Sequence, residues 1–96
     1  MILHKFTGSP FTSTQIADAL DKISTQDSVI LTLEAVYACL QPELLNSILN
    51  TTSKLYFIAD DLVARGLILT NERAYVIDYH QFVSLVEQHH NVMSWQ

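Results

Sequence analysis

Val29-Ile30-Leu31-Thr32-Leu33 is a nearly unbroken aliphatic run in the first third of the chain. A strand buried on both faces reads this way, as in a parallel sheet covered by helices on each side. Residues 55–58 (Leu-Tyr-Phe-Ile) and 74–77 (Ala-Tyr-Val-Ile) repeat the pattern and predict a second and a third buried strand. Residues 3–6 form a short candidate strand near the start, and residues 92–95 add a last short one.

Helical signals fill the intervals. Gly8, Ser9 and Pro10 mark a loop, and a helix is expected to start at Thr12. Thr12 with Gln15 has capping-box spacing, and Phe11 with Ile16 has the spacing of a hydrophobic staple. Ile16, Ala19, Leu20 and Ile23 then make one apolar stripe at helical period. Residues 34–40 read as a helix that stops before Pro42. Pro42 suits the first position of a new helix, whose buried face is Leu44, Leu45, Ile48 and Leu49. Asp60 is the expected N-cap of a short helix ending at Gly66, where a left-handed residue is commonly needed. Asp78 with Gln81 repeats the capping box, and Ile77 with Phe82 repeats the staple. Phe82, Val83 and Val86 continue that stripe. His89 and His90 close the helix, where a protonated imidazole favours the negative end.

Strands alternating with helices predict a parallel sheet with helices on both faces. The right-handed crossover rule then leaves a doubly wound topology as the natural one. The fold class expected is α/β, as a three-layer α/β/α sandwich with a mostly parallel, flavodoxin-like sheet. At 96 residues the chain is expected to form a single domain, residues 1–96.

Of the residues, 49% are apolar and only 16% are charged. An ordinary soluble chain carries about 25% charged residues. So short a chain leaves much of its surface wet, so the surplus of apolar groups predicts burial against another subunit. No apolar run approaches the roughly 20 residues of a membrane span. The opening Met1-Ile2-Leu3-His4-Lys5-Phe6 lacks the layout of a signal peptide. One cysteine, Cys39, excludes an internal disulfide and fits a reducing compartment, so a cytoplasmic location is expected. Five basic residues face ten acidic ones, for a formal net charge of −5. Nucleic-acid binding draws its affinity from basic side chains on phosphates, so no direct nucleic-acid contact is expected.

In a parallel α/β sheet, function gathers beyond the carboxyl ends of the strands. Those positions here are Thr7 to Ser9, Glu34 to Tyr37, Asp60 with Asp61, and Asp78 to His80. Asp60 and Asp78 are better explained as helix caps. Thr7-Gly8-Ser9-Pro10 lacks the glycines of a dinucleotide or Walker loop and reads as a plain turn. Asp60-Asp61 after a strand resembles the phosphoacceptor of response-regulator receivers. Those domains also need acidic residues after the first strand, and Phe6 and Thr7 stand there instead. His89 and His90 are adjacent, so they point about 100° apart on a helix, and no histidine pair at i, i+4 exists. No metal site and no cofactor are expected. Cys39 is the only candidate sulfur nucleophile, and thus the only candidate catalytic residue. A reactive thiolate usually sits beside a helix N-terminus or a cation. Cys39 lies late in its helix among Ala38, Leu40, Gln41 and Pro42, which favours an inert, buried thiol.

Several short motifs follow one another in order: Leu3-His4, Ser9-Pro10-Phe11, Asp27-Ser28-Val29-Ile30-Leu31, Val36-Tyr37-Ala38, Leu55-Tyr56, Asp61-Leu62, Ala64-Arg65-Gly66-Leu67, Val76-Ile77-Asp78-Tyr79, Phe82-Val83, His89 and Ser94-Trp95. In this order and spacing the chain resembles the DsrH/TusB family, the B subunits of the tRNA 2-thiouridine synthesizing complex. The resemblance implies a three-layer α/β/α fold shared with sister C-type and D-type subunits, assembled as a heterohexamer, a dimer of heterotrimers. It implies a sulfur relay in which the D-type subunit carries the persulfide cysteine, takes sulfur from an upstream carrier and passes it to a downstream one. The sulfur ends in 2-thiouridine at the tRNA wobble position. Relatives in sulfur-oxidising bacteria form a DsrEFH complex, where some H subunits carry a cysteine in the first helix. This chain departs from the family in having Ala35 where glycine is frequent, and no cysteine in its first helix. A relay cysteine therefore does not carry over to it. The function expected is that of a non-catalytic assembly subunit of the thiouridine relay. The alternatives are an intracellular sulfur-oxidation subunit or a direct sulfur carrier through Cys39.

Overall fold

The computed structural model describes residues 1–95. Its strands are β1 (Ile2–Phe6), β2 (Ser28–Leu31), β3 (Leu55–Ile58), β4 (Tyr75–Ile77) and β5 (Asn91–Trp95). Its helices are α1 (Gln15–Ala19), α2 (Pro42–Thr51), α3 (Ala59–Ala64) and α4 (Tyr79–Glu87), with 3-10 segments at Leu20–Lys22 and Leu33–Leu40. The strands form one sheet in the order β4-β3-β2-β1-β5, and every neighbouring pair is parallel. The parallel α/β/α arrangement is the one the sequence predicts. Its strand order differs from the 2-1-3-4-5 order of flavodoxin. Four strands step outward in one direction, and β5 returns to the far side of β1.

The double-sided burial of the central strands follows from their alternation. Val29, Leu31, Leu55 and Phe57 point to one side, with Phe6. There they pack on Ile16 and Ala19 of α1, Ala35, Val36 and Ala38 of the long 3-10 helix, Leu45, Ile48 and Leu49 of α2, and Leu62 of α3. Leu3, Ile30, Ile58 and Ile77 point to the other side and pack on Leu85 alone among the buried residues, with Phe82 and Val86 beside it. One sheet face is thus covered by four helical segments and the other by α4.

Several local expectations are corrected. The first helix starts at Gln15, without a side-chain cap, because Thr12 belongs to a tight turn. The Thr12 N–H and hydroxyl both donate to the Ser9 carbonyl, at 3.2 and 3.4 Å. Phe11 leaves the staple position and meets the Tyr37 ring edge-on, with centroids 6.3 Å apart. Asp60 is not an N-cap. Helix α3 runs straight out of β3 with Ile58 in the cap position and makes no side-chain cap bond, so Asp60 lies in its first turn. Residues 74–77 are not a buried central strand. β4 is the sheet's edge, pairs only with β3, and leaves Tyr75 and Val76 exposed. Val83 points to solvent, and Leu85 takes the core position that the stripe Phe82, Val83, Val86 assigned to it.

Other expectations match. Gly66 has φ +65°, its N–H reaches the Val63 carbonyl at 3.1 Å, and the Leu67 N–H reaches the Leu62 carbonyl at 2.9 Å. That is a Schellman ending, which a residue with a Cβ adopts only at a cost. Pro42 opens α2. Asp78 and Gln81 form both bonds of the capping box, at 2.7 and 2.9 Å.

Candidate functional site

At the carboxyl end of the sheet, β2 leaves its pleat abruptly. Thr32 is buried and anchors the end of β2, its N–H and hydroxyl donating to the Phe6 carbonyl at 3.0 and 3.2 Å. The next residue, Leu33, has φ +51°. A leucine in the left-handed region costs roughly 1–2 kcal/mol. The Asp61 carboxylate offsets part of that cost by accepting the Leu33 N–H at 2.8 Å. Asp61 is itself buried. Arg65, one helical turn further on, donates Nε and Nη2 to Glu34 Oε1 at 3.2 and 2.7 Å, and Nη1 to the Asp61 carbonyl at 3.0 Å. The hydrogen bond it donates to Glu34 raises the guanidinium above its ordinary value. Burial and then the charges of Asp61 and Asp60 raise the Tyr79 hydroxyl.

The structure therefore gathers Glu34, Asp60, Asp61 and Tyr79 from the positions named by sequence, and adds Arg65. Thr7 turns instead toward Trp95, its hydroxyl 3.5 Å from that carbonyl. Asp78 is absorbed in its capping box. Arg65 is paired with Glu34 and Asp61, and no nucleophile stands among these residues. Among the described residues, no group of three or more histidine, cysteine, aspartate or glutamate side chains is placed to hold a metal ion. Cys39 is half-buried in the 3-10 helix and packs against the larger core cluster. Burial pushes its thiol up, away from the thiolate that sulfur transfer requires.

The most connected polar group lies near the opposite end of the strands. His4 is 1% exposed in β1, a mostly apolar strand. Its Nε2 lies 2.9 Å from Asp27 Oδ2, and its Nδ1 accepts the Trp95 indole N–H at 3.2 Å. An indole N–H only donates, so Nδ1 carries no proton and Nε2 carries it toward Asp27. The Trp95 ring lies parallel to Phe6, at 5.8 Å between centroids and 7°. Asp27 also accepts the Ile2 N–H at 2.9 Å and the Ser24 N–H at 3.0 Å. Its own carbonyl takes the Thr52 hydroxyl at 2.6 Å. Five places in the chain are joined through one carboxylate and its neighbours. Burial works to raise the Asp27 carboxyl, but the bonds from Ser24, His4 and Ile2 outweigh it and hold the group well below the carboxylate range.

A depressed carboxyl contributes stability that is full above its unfolded value, about pH 4, and is lost as pH falls below it. Acid denaturation of the wild-type chain is therefore expected to steepen below about pH 4. The Asp27→Asn variant, starting from lower stability, should show a flatter dependence there. Urea midpoints measured from pH 7 to pH 2 check this, and equal slopes would remove Asp27 as the cause.

A second link joins α4 to β2. The His89 Nδ1–H donates to the Leu85 carbonyl at 2.7 Å, leaving Nε2 to accept the Ser28 hydroxyl at 2.9 Å. A serine hydroxyl on an imidazole nitrogen is the start of a nucleophile dyad. Here Ser28 is buried at the amino end of β2, and a backbone carbonyl stands where an orienting carboxylate would be. The pair latches the helix end to the sheet. Sequence reasoning missed both networks. The available signals were a histidine inside a mostly apolar strand and an aspartate just before an aliphatic run, since buried polar groups need partners.

The chain matches the DsrH like protein family over residues 8–92. It is 29% identical over 96 residues to Protein TusB of Yersinia pestis (strain Pestoides F) and to Protein TusB of Yersinia pseudotuberculosis serotype O:1b (strain IP 31758), alignments that cover 98% of this chain and all of each relative. The solution structure of protein Tm0979 from Thermotoga maritima superposes with a TM-score of 0.68 at 22% identity, over 92% of this chain and 93% of that one. The last likeness shows the fold alone.

Proposed function

Because the chain belongs to the DsrH like protein family, we propose that it is a non-catalytic subunit of a sulfur-relay complex that supplies persulfide sulfur for 2-thiouridine at the tRNA wobble position. The sulfur-relay part follows from the family resemblance and from full-length relatives that bear the name TusB. The non-catalytic part rests on one observation. The sole cysteine is half-buried, and burial moves its thiol away from ionisation. The partners in this reading are sister C-type and D-type α/β subunits in a cytoplasmic heterohexamer, with sulfur carriers upstream and downstream. The unspent apolar surface supports assembly: Phe11, Leu33, Leu40, Val63, Ile68 and Tyr79 are all exposed.

The test is copurification from the native host with a tag on this chain. Two sister α/β subunits of similar size are expected at stoichiometric yield. Recovery of the chain alone, from cells that express all three, would remove the assembly reading. The lone chain is also expected to bind tRNA no tighter than the nonspecific range, roughly 10⁻⁴ to 10⁻⁶ M at physiological salt. Filter binding across a salt series checks it. Submicromolar affinity with a steep salt slope would expose a basic patch in the assembled chain and contradict the expectation.

A further inference from the structure

We propose that His4 and Trp95 form a latch opened by a single proton: when His4 takes a second proton, Trp95 is expelled and the end of β5 comes away from β1. The inference does not depend on the sulfur-relay reading. It starts from how lightly β5 is held. Among the described residues, the strand lies at the edge of the sheet and pairs with β1 alone. Asn91, Val92, Met93 and Ser94 are all exposed, so Trp95 is the one side chain of β5 with substantial cover. That anchor has two parts, the ring stacked on Phe6 and the indole N–H given to His4 Nδ1 at 3.2 Å. A strand with so few buried contacts belongs to the least stable part of a fold and loosens first when its anchor is lost.

The bond requires a neutral His4. The Nε2 proton already points at Asp27 Oδ2, 2.9 Å away, so Nδ1 is the nitrogen left to accept. A second proton, taken from solvent, lands on Nδ1 and turns the acceptor into a donor. Two N–H groups then face each other 3.2 Å apart. His4 is 1% exposed, so it can give that proton to water only if the indole moves aside. Stacking does not compensate, because the two ring centroids are 6.2 Å apart, at the outer limit of a cation–π contact. Asp27 decides which joint breaks. Burial works to raise its carboxyl, but the bonds from Ser24, His4 and Ile2 hold it well below the usual carboxylate range. It therefore stays ionised and keeps the charged imidazole paired, and the β1–β2 joint survives the proton that opens β1–β5. The other charged groups stand apart from the ring. The Met1 α-amino group adjoins the Ile2 N–H, which goes to the other Asp27 oxygen at 2.9 Å. Lys5 lies on the opposite face of β1, 5.9 Å over the Phe82 ring, and His89 reaches β2 from that face through Ser28. Asp18, Asp21, Lys22, Glu34 and Glu43, on the helical segments that cover the His4 side, are exposed. Asp61 and Arg65 lie at the other end of the strands.

Trp95 is the sole tryptophan of the chain, so its fluorescence reports the latch directly. As pH falls from about 8 to about 5, the range in which imidazole charges, emission is expected to shift to the red and acrylamide quenching to rise. One proton is taken up per release, so the ratio of released to docked Trp95 should climb by up to about tenfold for each pH unit lost. The helical circular dichroism signal should hold across that window, since acid unfolding through Asp27 comes later, below about pH 4. His4→Asn puts an amide oxygen where Nδ1 stands and cannot charge, so its emission should be flat over the same range. His89→Gln removes the other partly buried histidine and should leave the transition in place. In nitrogen-resolved NMR spectra of the wild type, which need no variant, the Trp95 indole N–H and the His4 ring should move with one shared midpoint. Wild-type emission that holds steady until the helices melt overturns the proposal. So does an unchanged transition in a folded His4→Asn chain, a transition abolished by His89→Gln, or separate midpoints for Trp95 and His4.

Discussion

Replacing Asp27 with alanine is expected to cost about 2–4 kcal/mol of folding stability, because it removes hydrogen bonds to a buried carboxylate, each worth roughly 1.5–3 kcal/mol. The carboxylate accepts from His4, from Ser24 and from Ile2, and the buried His4 would be left without that partner inside the fold. Domains of this kind have only about 5–15 kcal/mol in total, so the variant should lose a large share of its stability. Asp27→Asn keeps one acceptor oxygen and should cost less. Trp95→Phe should cost less still, about 1–2 kcal/mol, since it removes one bond to His4 but keeps the stack on Phe6. Denaturant titrations with an unchanged slope would order the three variants. An Asp27→Ala variant within 1 kcal/mol of wild type would mean that water replaces the carboxylate and that the network is not what joins β1, β2 and β5.

The order of those effects explains how much of the fold could be read in the chain. Strands β2 and β3 were legible because both faces of a central strand are buried, and an aliphatic run records that directly. β4 has the same composition but lies at the edge, and nothing in Tyr75-Val76-Ile77 says that no strand lies beyond it. Caps divided the same way. Asp78 with Gln81 makes the box its spacing predicts, whereas Thr12 with Gln15 has identical spacing and does not. The Ser9 carbonyl lies within reach of the Thr12 hydroxyl and takes it first. Asp60 and Asp61 differ by one residue, and only the path of the chain through Leu33 decides which carboxylate is used.

The candidate site was less legible than the fold. The rule that function gathers at the carboxyl ends of parallel strands singles out Glu34 and Asp61, and they do come together, joined by Arg65. His4, Asp27 and Trp95 are separated by 23 and 91 positions along the chain, so their contact exists only through the β1–β2 and β1–β5 registers. Among the residues on which the family resemblance rests, nine shape these networks and turns: His4, Asp27, Ser28, Asp61, Arg65, Gly66, Asp78, His89 and Trp95. Their roles here are internal: they orient strands, end helices and hold one strained turn. A chain whose distinctive residues are spent on its own architecture offers partners a shape, and the proposed function asks no more of it.

The central claim is that this chain supports sulfur transfer without carrying sulfur, and the thiouridine content of tRNA tests it most directly. Cys39→Ala deletes the thiol without burying a new polar group, so it separates chemistry from packing. Nucleoside analysis of bulk tRNA should find 2-thiouridine retained in a Cys39→Ala strain and mostly lost in a strain that lacks the whole chain. Loss of 2-thiouridine in the Cys39→Ala strain, with the chain present at normal abundance, would contradict the account and make Cys39 a direct sulfur carrier.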